Sequence, residues 1–95
     1  IDAGGIANPA TFVTGEKTIT ASSVQVVTDT TAMLNGVNIK GHPRNEDHIY
    51  IKNDDTASSG YPLGAGEELF LDVDNLNKVY VYADQTGLTA CYIYR

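Results

Sequence analysis

Two groups of acidic and amide side chains are the residues whose chemistry could bind a metal ion. One is the pair at residues 54–55, and the other is the run D-V-D-N-L-N at residues 72–77. Calcium takes six to eight oxygen ligands around one point, and this run lacks the glycine and the distal glutamate of an EF-hand loop. Because Asp and Asn also stabilise turns, we interpret both groups as turns and predict no metal or cofactor.

The histidines and the single cysteine could supply zinc ligands or a nucleophile. His42 and His48 stand six residues apart across a proline-containing loop, and two histidines need a further ligand to bind zinc. Cys91 precedes Ile93 in an alternating run, which predicts a small buried side chain on an apolar face. Neither histidine lies on a neighbouring stretch of sequence, so Cys91 lacks a basic partner. With no catalytic motif and little room for a cleft, we predict that the protein is not an enzyme.

Tyrosine is the unusual residue type in the composition. Four of the six tyrosines fall in the last sixteen residues: Tyr80, Tyr82, Tyr92 and Tyr94. They alternate with aliphatic residues that are better candidates for the core. If the two runs pair, the tyrosines form one cross-strand patch, which is either half of the core or an exposed contact surface, and we predict that it is partly exposed.

Short runs of alternating polar and apolar residues predict strands throughout the chain. The predicted strands cover residues 17–21, 24–28, 36–42, 47–52, 67–73, 78–83 and 88–94. The fold class is therefore all-β, an antiparallel β-sandwich or barrel of about seven short strands. The spacers at residues 74–77 and 84–87 are so short that the last three strands are predicted to form an antiparallel meander.

The N-terminal residues 1–15 are predicted to form an extended arm before a β-sandwich domain at residues 16–95. Ile6 and Phe12 are the arm's bulky apolar residues and the candidates for docking on a neighbouring subunit. A frayed terminus explains the same composition, and both interpretations stay open. The chain begins at Ile1 rather than Met, so we expect an upstream segment in the natural protein.

The charge balance argues against nucleic acid as a partner. The chain of 95 residues has 6 Lys+Arg against 12 Asp+Glu, a formal net charge of −6. The basic residues are scattered, whereas binding to a phosphate backbone needs a concentrated positive patch.

No apolar run approaches the roughly 20 residues of a membrane span, and no signal peptide is recognisable. We therefore predict no nucleic-acid or membrane partner.

Several segments carry a family resemblance. They are G-V-N-I-K-G at residues 36–41, N-E-D-H-I-Y-I-K at 45–52, G-Y-P-L-G-A-G-E at 60–67, L-F-L-D-V-D-N-L-N-K-V-Y-V-Y-A at 69–83 and A-C-Y-I-Y-R at 90–95. Over about residues 16–95 the chain resembles small virion proteins of tailed bacteriophages, of the head-decoration or cement type. The resemblance implies a cofactor-free β domain that decorates and stabilises the capsid, contacts the major capsid protein and is located on the virion surface. A homo-oligomer is compatible with it, with a trimer as one option.

Two other classes of function fit the same residues. The first is a β-module of a phage tail or fibre that binds a host receptor or carbohydrate through the loop at residues 53–60 and the tyrosines. The second is a bacterial or extracellular β-sandwich module carried in a larger protein.

Overall fold

The computed structural model describes residues 12–95 as two antiparallel four-stranded sheets that share one apolar core. The strands are β1 (Val13–Ile19), β2 (Val24–Gln25), β3 (Val37–Gly41), β4 (Ile49–Lys52), β5 (Tyr61–Leu63), β6 (Glu68–Leu71), β7 (Tyr80–Ala83) and β8 (Leu88–Tyr94). One 3-10 turn, Leu76–Lys78, lies between β6 and β7. The predicted all-β antiparallel sandwich is confirmed, and β5 is a strand beyond those that the sequence predicts.

The strand order of each sheet determines which side chains meet. The first sheet runs β1-β8-β3-β6, and the second runs β2-β7-β4-β5. Every neighbouring pair is antiparallel. The edges are therefore β1 and β6 in the first sheet, and β2 and β5 in the second.

The core forms where the inward residues of the two sheets meet. The largest fully buried side chains are Ile19, Val37, Ile39, Ile49, Leu76, Val79 and Val81. Burial of each such aliphatic side chain stabilises the fold by about 1.5–3 kcal/mol. Among residues 12–95, the buried polar residue is Ser23. Its hydroxyl donates a hydrogen bond to the backbone carbonyl of Asp54 at 2.9 Å.

The predicted three-stranded meander of the last strands is wrong. Strands β6 and β8 lie in the first sheet, with β3 between them, whereas β7 lies in the second sheet. Short connections do not restrict a chain to neighbouring strands in one sheet. Four extended residues reach about 13 Å, and packed sheets are about 10 Å apart. The segment 84–87 is therefore long enough to cross from one sheet to the other.

The predicted faces of β8 are also reversed. Tyr92 and Tyr94 pack against the core from the inner face, and Cys91 and Ile93 point outward. Both faces of this strand carry apolar residues, so alternation alone does not distinguish them. Gly15 in β1 lies opposite Tyr92 and leaves room for its ring, since a Cβ at Gly15 would approach Tyr92 Cε1 to 2.8 Å.

The boundary of the N-terminal arm needs a correction as well. Residues 13–15, which we assigned to the arm, begin strand β1 and pair with the last residues of β8. The pairing starts at Val13, opposite Tyr94. The predicted contact residue Ile6 lies outside the described residues.

Candidate functional site

The outer face of the first sheet carries a group of exposed apolar side chains. Asn38 in β3 lies opposite Phe70 of β6 on one side and Ile93 of β8 on the other. Phe12, just before β1, lines the same shallow hollow of ≈ 280 Å³ as Phe70 and Ile93. The exposed fractions are 63% for Phe12, 56% for Phe70 and 41% for Ile93. We call Phe12, Phe70 and Ile93 the apolar patch.

Strand alternation explains why the apolar patch faces outward. Leu69 and Leu71 pack against the core, so Phe70 between them must point to the other face of the sheet. Ile93 likewise lies between two residues that pack against the core, Tyr92 and Tyr94, and therefore points to the outer face. Single apolar side chains are normal on protein surfaces, but these three surround one hollow together with the polar Asn38, which makes the group a candidate contact surface.

A second group on the same face brings together three side chains that can bind metals. Glu16 in β1 lies directly opposite Cys91 in β8, and His42 follows β3 on the other side of β8. One ligand atom from each residue lies within 4.8 Å of the other two. We call Glu16, His42 and Cys91 the Glu-His-Cys cluster. Within residues 12–95 it is the single group of three or more such side chains.

The Glu-His-Cys cluster overturns two expectations about Cys91. This residue is half-buried on the outer face rather than buried in the core, and it has a histidine within reach. The histidine was missed because β3 pairs with β8 although the two strands lie far apart in the sequence. Cross-strand proximity of this kind leaves no signal in the spacing of the residues.

The electrostatics of the cluster do not favour nucleophilic catalysis. Burial, together with the negative charge of Glu16, raises the pKa of the Cys91 thiol, and Lys40 opposes the shift only in part. A catalytic cysteine requires the thiolate, which a raised pKa disfavours at neutral pH. None of the hydrogen bonds found in residues 12–95 joins Cys91 to His42. Carboxylate, imidazole and thiol are all side-chain types that bind metal ions.

The acidic residues at 54–55 belong to a turn. Asp54 Oδ1 accepts a hydrogen bond from the Thr56 N–H at 3.0 Å and lies 3.2 Å from Lys52 Nζ. The hydrogen bond from Thr56, followed by that from Lys52, lowers the pKa of the Asp54 carboxyl. The same lysine donates to the Ser58 carbonyl at 2.6 Å, so these side chains hold the loop together.

The D-V-D-N-L-N run also forms local structure. Asn75 Oδ1 accepts from the backbone N–H of Thr31 at 2.9 Å and of Asn77 at 3.2 Å, which caps the 3-10 turn. Asp74 pairs with Lys78 at 2.7 Å, and this contact lowers the pKa of Asp74. These contacts agree with the interpretation of the run as a turn.

The four C-terminal tyrosines do not form the single patch that we predicted. Tyr80 and Tyr82 lie in the second sheet and Tyr92 and Tyr94 in the first, because β7 and β8 do not pair. Tyr82 is buried: its ring stacks on Tyr50 with centroids 5.0 Å apart. Tyr80, Tyr92 and Tyr94 are half-buried. A contact role for these side chains stays a prediction, and Tyr94 borders the hollow of the apolar patch.

A second apolar hollow, of ≈ 340 Å³, lies between the edge strands β5 and β6. Tyr61 on one side and Leu69, Leu71 and Val73 on the other line it. Tyr61 is 58% exposed, and Asn53 from the predicted binding loop contributes to the same lining. We call this hollow the edge cleft.

Comparison with protein-family models, with curated proteins and with solved structures finds no match to this chain. Within residues 12–95 no helix is long and apolar enough to cross a membrane.

Proposed function

We propose that this protein is a structural component of a phage virion that decorates and stabilises the capsid shell through protein–protein contacts. The observation that carries the proposal is the apolar patch on the outer face of the first sheet. Exposed Phe12, Phe70 and Ile93 offer aromatic and aliphatic anchors of the kind that dominate protein interfaces. In this proposal the partner is the major capsid protein.

Two features of the chain and one general property of lattices support a docking role. Phe12 belongs to the N-terminal segment that the sequence predicts as a contact, so the patch is continuous with that segment. The net charge of −6 favours solubility at the high local concentration of a lattice. Many copies on one lattice gain avidity even when each single contact is weak.

Co-sedimentation of the purified protein with empty heads of its own phage tests the proposal. The wild-type protein is expected to bind saturably, at regular lattice positions visible by cryo-electron microscopy. Phe70→Ser removes an exposed aromatic anchor without altering the core and should weaken binding by at least about tenfold, since anchors of this type contribute about 2 kcal/mol or more. Tyr61→Ser, an equally exposed aromatic on the second sheet, serves as the matched control and should bind like wild type.

Absence of binding to these heads would reject decoration as the function. Equal binding by wild type and Phe70→Ser would instead reject the apolar patch as the docking surface. Circular dichroism and urea unfolding of each variant exclude loss of folding as the cause of weak binding.

The alternative, a tail or fibre module that binds a receptor or carbohydrate, has one observation in its favour. Tyr61 is exposed at the edge cleft beside Asn53 and Lys52, so an aromatic ring and polar groups meet in one hollow. On a glycan array this function would give binding that Tyr61→Ser abolishes and Phe70→Ser leaves intact. The two variants thus distinguish the two functions by opposite results.

A further inference from the structure

The Glu-His-Cys cluster offers one carboxylate from β1, one thiol from β8 and one imidazole from the residue that follows β3. The sheet fixes their relation: Glu16 is the direct cross-strand partner of Cys91, and the backbone N–H of His42 donates to the Thr89 carbonyl, two residues before Cys91, at 3.1 Å. Residues two apart on a strand share a face, so these side chains converge above β8. All three ligand atoms lie within 4.8 Å of one another.

These donor types select the class of metal ion. Thiolate and imidazole favour late first-row ions, whereas calcium and magnesium prefer oxygen ligands alone. In a tetrahedral zinc site with bonds of 2.0–2.3 Å the ligand atoms stand about 3.3–3.7 Å apart. The three ligand atoms, which lie within 4.8 Å of one another, therefore have to move about 1 Å closer together. A change of rotamer at Glu16 can supply part of this movement, because its side chain is exposed. We propose that Glu16, His42 and Cys91 bind Zn²⁺, with one further coordination position open to solvent.

His42 is held in place by contacts that do not involve its coordinating atom. Its carbonyl accepts from the Asn45 N–H at 2.9 Å, and the Asn45 side chain is bonded in turn to the backbone of Thr89. One contact must change on binding, because His42 Nδ1 accepts from the Arg44 N–H at 3.0 Å. Coordination through Nδ1 uses that lone pair, and coordination through Nε2 places the imidazole proton on Nδ1. In both cases the Arg44 amide loses its acceptor.

Binding releases one proton, since Cys91–SH becomes a zinc-bound thiolate and the ion replaces the proton. The charged and titratable groups on this face are Glu16 from β1, Lys40 and His42 from the β3 segment, and Glu68 from β6, in the same cross-strand row as Cys91.

Titration of the full chain with CoCl₂ under reducing conditions, followed by competition with ZnCl₂, tests the site. The expected result is a thiolate-to-cobalt charge-transfer band that saturates at one ion per chain and disappears when zinc is added. Cys91→Ser should abolish the band, and His42→Gln and Glu16→Gln should each weaken binding by more than about tenfold. His48→Gln is the matched control and should bind like wild type, because His48 is exposed and lies outside the cluster.

Two-dimensional amide NMR provides an independent readout. Zinc should shift the Arg44 resonance in the wild type and leave it unchanged in Cys91→Ser, whose metal-free spectrum also verifies folding. Absence of the charge-transfer band, or an equal loss of affinity in His48→Gln, would overturn the proposal. A decorated capsid is not required for this measurement, so the outcome is independent of the proposed function.

Discussion

The hydroxyl of Tyr82 connects the second sheet to the long loop that precedes β5. It accepts a hydrogen bond from the Gly60 N–H at 2.9 Å, and its ring stacks on Tyr50. A Cβ at Gly60 would lie 2.7 Å from Tyr50 Cβ and 2.9 Å from Tyr82 Cε1, so the absence of a side chain lets the loop approach the rings. The stacked pair therefore fixes the end of the loop at residues 53–60.

Tyr82→Phe should destabilise the fold by about 1–2 kcal/mol. The substitution keeps the ring but leaves the partly buried Gly60 amide without its acceptor, and an unpaired amide costs about that much. Urea unfolding at neutral pH measures the change in the free energy of unfolding.

Tyr80→Phe provides the matched control for this prediction. Tyr80 lies on the same face of the same strand, and none of the hydrogen bonds found in residues 12–95 involves its hydroxyl. We expect a change within about 0.5 kcal/mol for this variant. Equal unfolding free energies for the two variants would show that the bond to Gly60 does not stabilise the protein.

Single residues also show which parts of the site could be read from the sequence. The outward direction of Phe70 follows from its alternation with Leu69 and Leu71, so one member of the apolar patch was predictable. Ile93 was not, because Tyr92 and Tyr94 beside it are also apolar and the pattern does not say which set is buried. The partners of Cys91 were not predictable either, since they are determined by the pairing of β8 with β1 and β3.

At the scale of elements, the side chain of Asn45 extends the pairing of β3 with β8. Its amide nitrogen donates to the Thr89 carbonyl and its oxygen accepts from the Thr89 N–H, both at 2.9 Å. The side chain therefore takes the place of a strand residue just beyond the end of β3. Pro43, which has no N–H to donate, ends the regular ladder nearby.

Asn45→Ala should lower the free energy of unfolding by about 2 kcal/mol, because it removes two hydrogen bonds of about 1 kcal/mol each. Amide hydrogen exchange should show loss of protection at Thr89, where the N–H loses its acceptor. The control is Asn53→Ala in the exposed loop, for which we expect a change within about 0.5 kcal/mol. Unchanged protection at Thr89 in Asn45→Ala would contradict the assigned role of the amide.

Element positions were easier to predict than element partners. Alternation located β3, β4 and β6–β8 to within a few residues, since a half-buried strand must present one apolar face. It did not reveal β5, where Pro62 interrupts the pattern in the short strand Tyr61–Leu63. Loop length did not predict which strands pair. A four-residue connection is long enough both for a hairpin within one sheet and for a crossing from one sheet to the other.

At the scale of the whole molecule, the chain changes sheet at nearly every connection. Only β4 and β5 are both consecutive in sequence and paired within a sheet among the eight strands of residues 12–95. The pairing of the edge strand β1 with β8 joins the two ends of the described chain, with Val13 opposite Tyr94. The fold class was predictable from the number and spacing of the strands, whereas this order was not, because it depends on contacts between distant residues.

The strand order predicts slow folding for a protein of this size. Non-local pairs must form before most of the core is buried, so the entropy of closing long loops precedes the gain from packing. We expect refolding in water within milliseconds to seconds, as is typical of all-β sandwiches, rather than in microseconds.

Stopped-flow refolding from urea, detected by the fluorescence of the six tyrosines, measures this rate. Double-jump experiments separate the main phase from slow proline isomerisation, which takes tens of seconds. Leu63→Ala in β5, which pairs with β4 alone, and Ile19→Val in β1 distinguish local from long-range contacts in the transition state. If long-range closure limits the rate, Ile19→Val slows folding. A main phase in microseconds would contradict the predicted slow folding. An effect of Ile19→Val on unfolding alone would show that the pairing of β1 with β8 forms after the rate-limiting step.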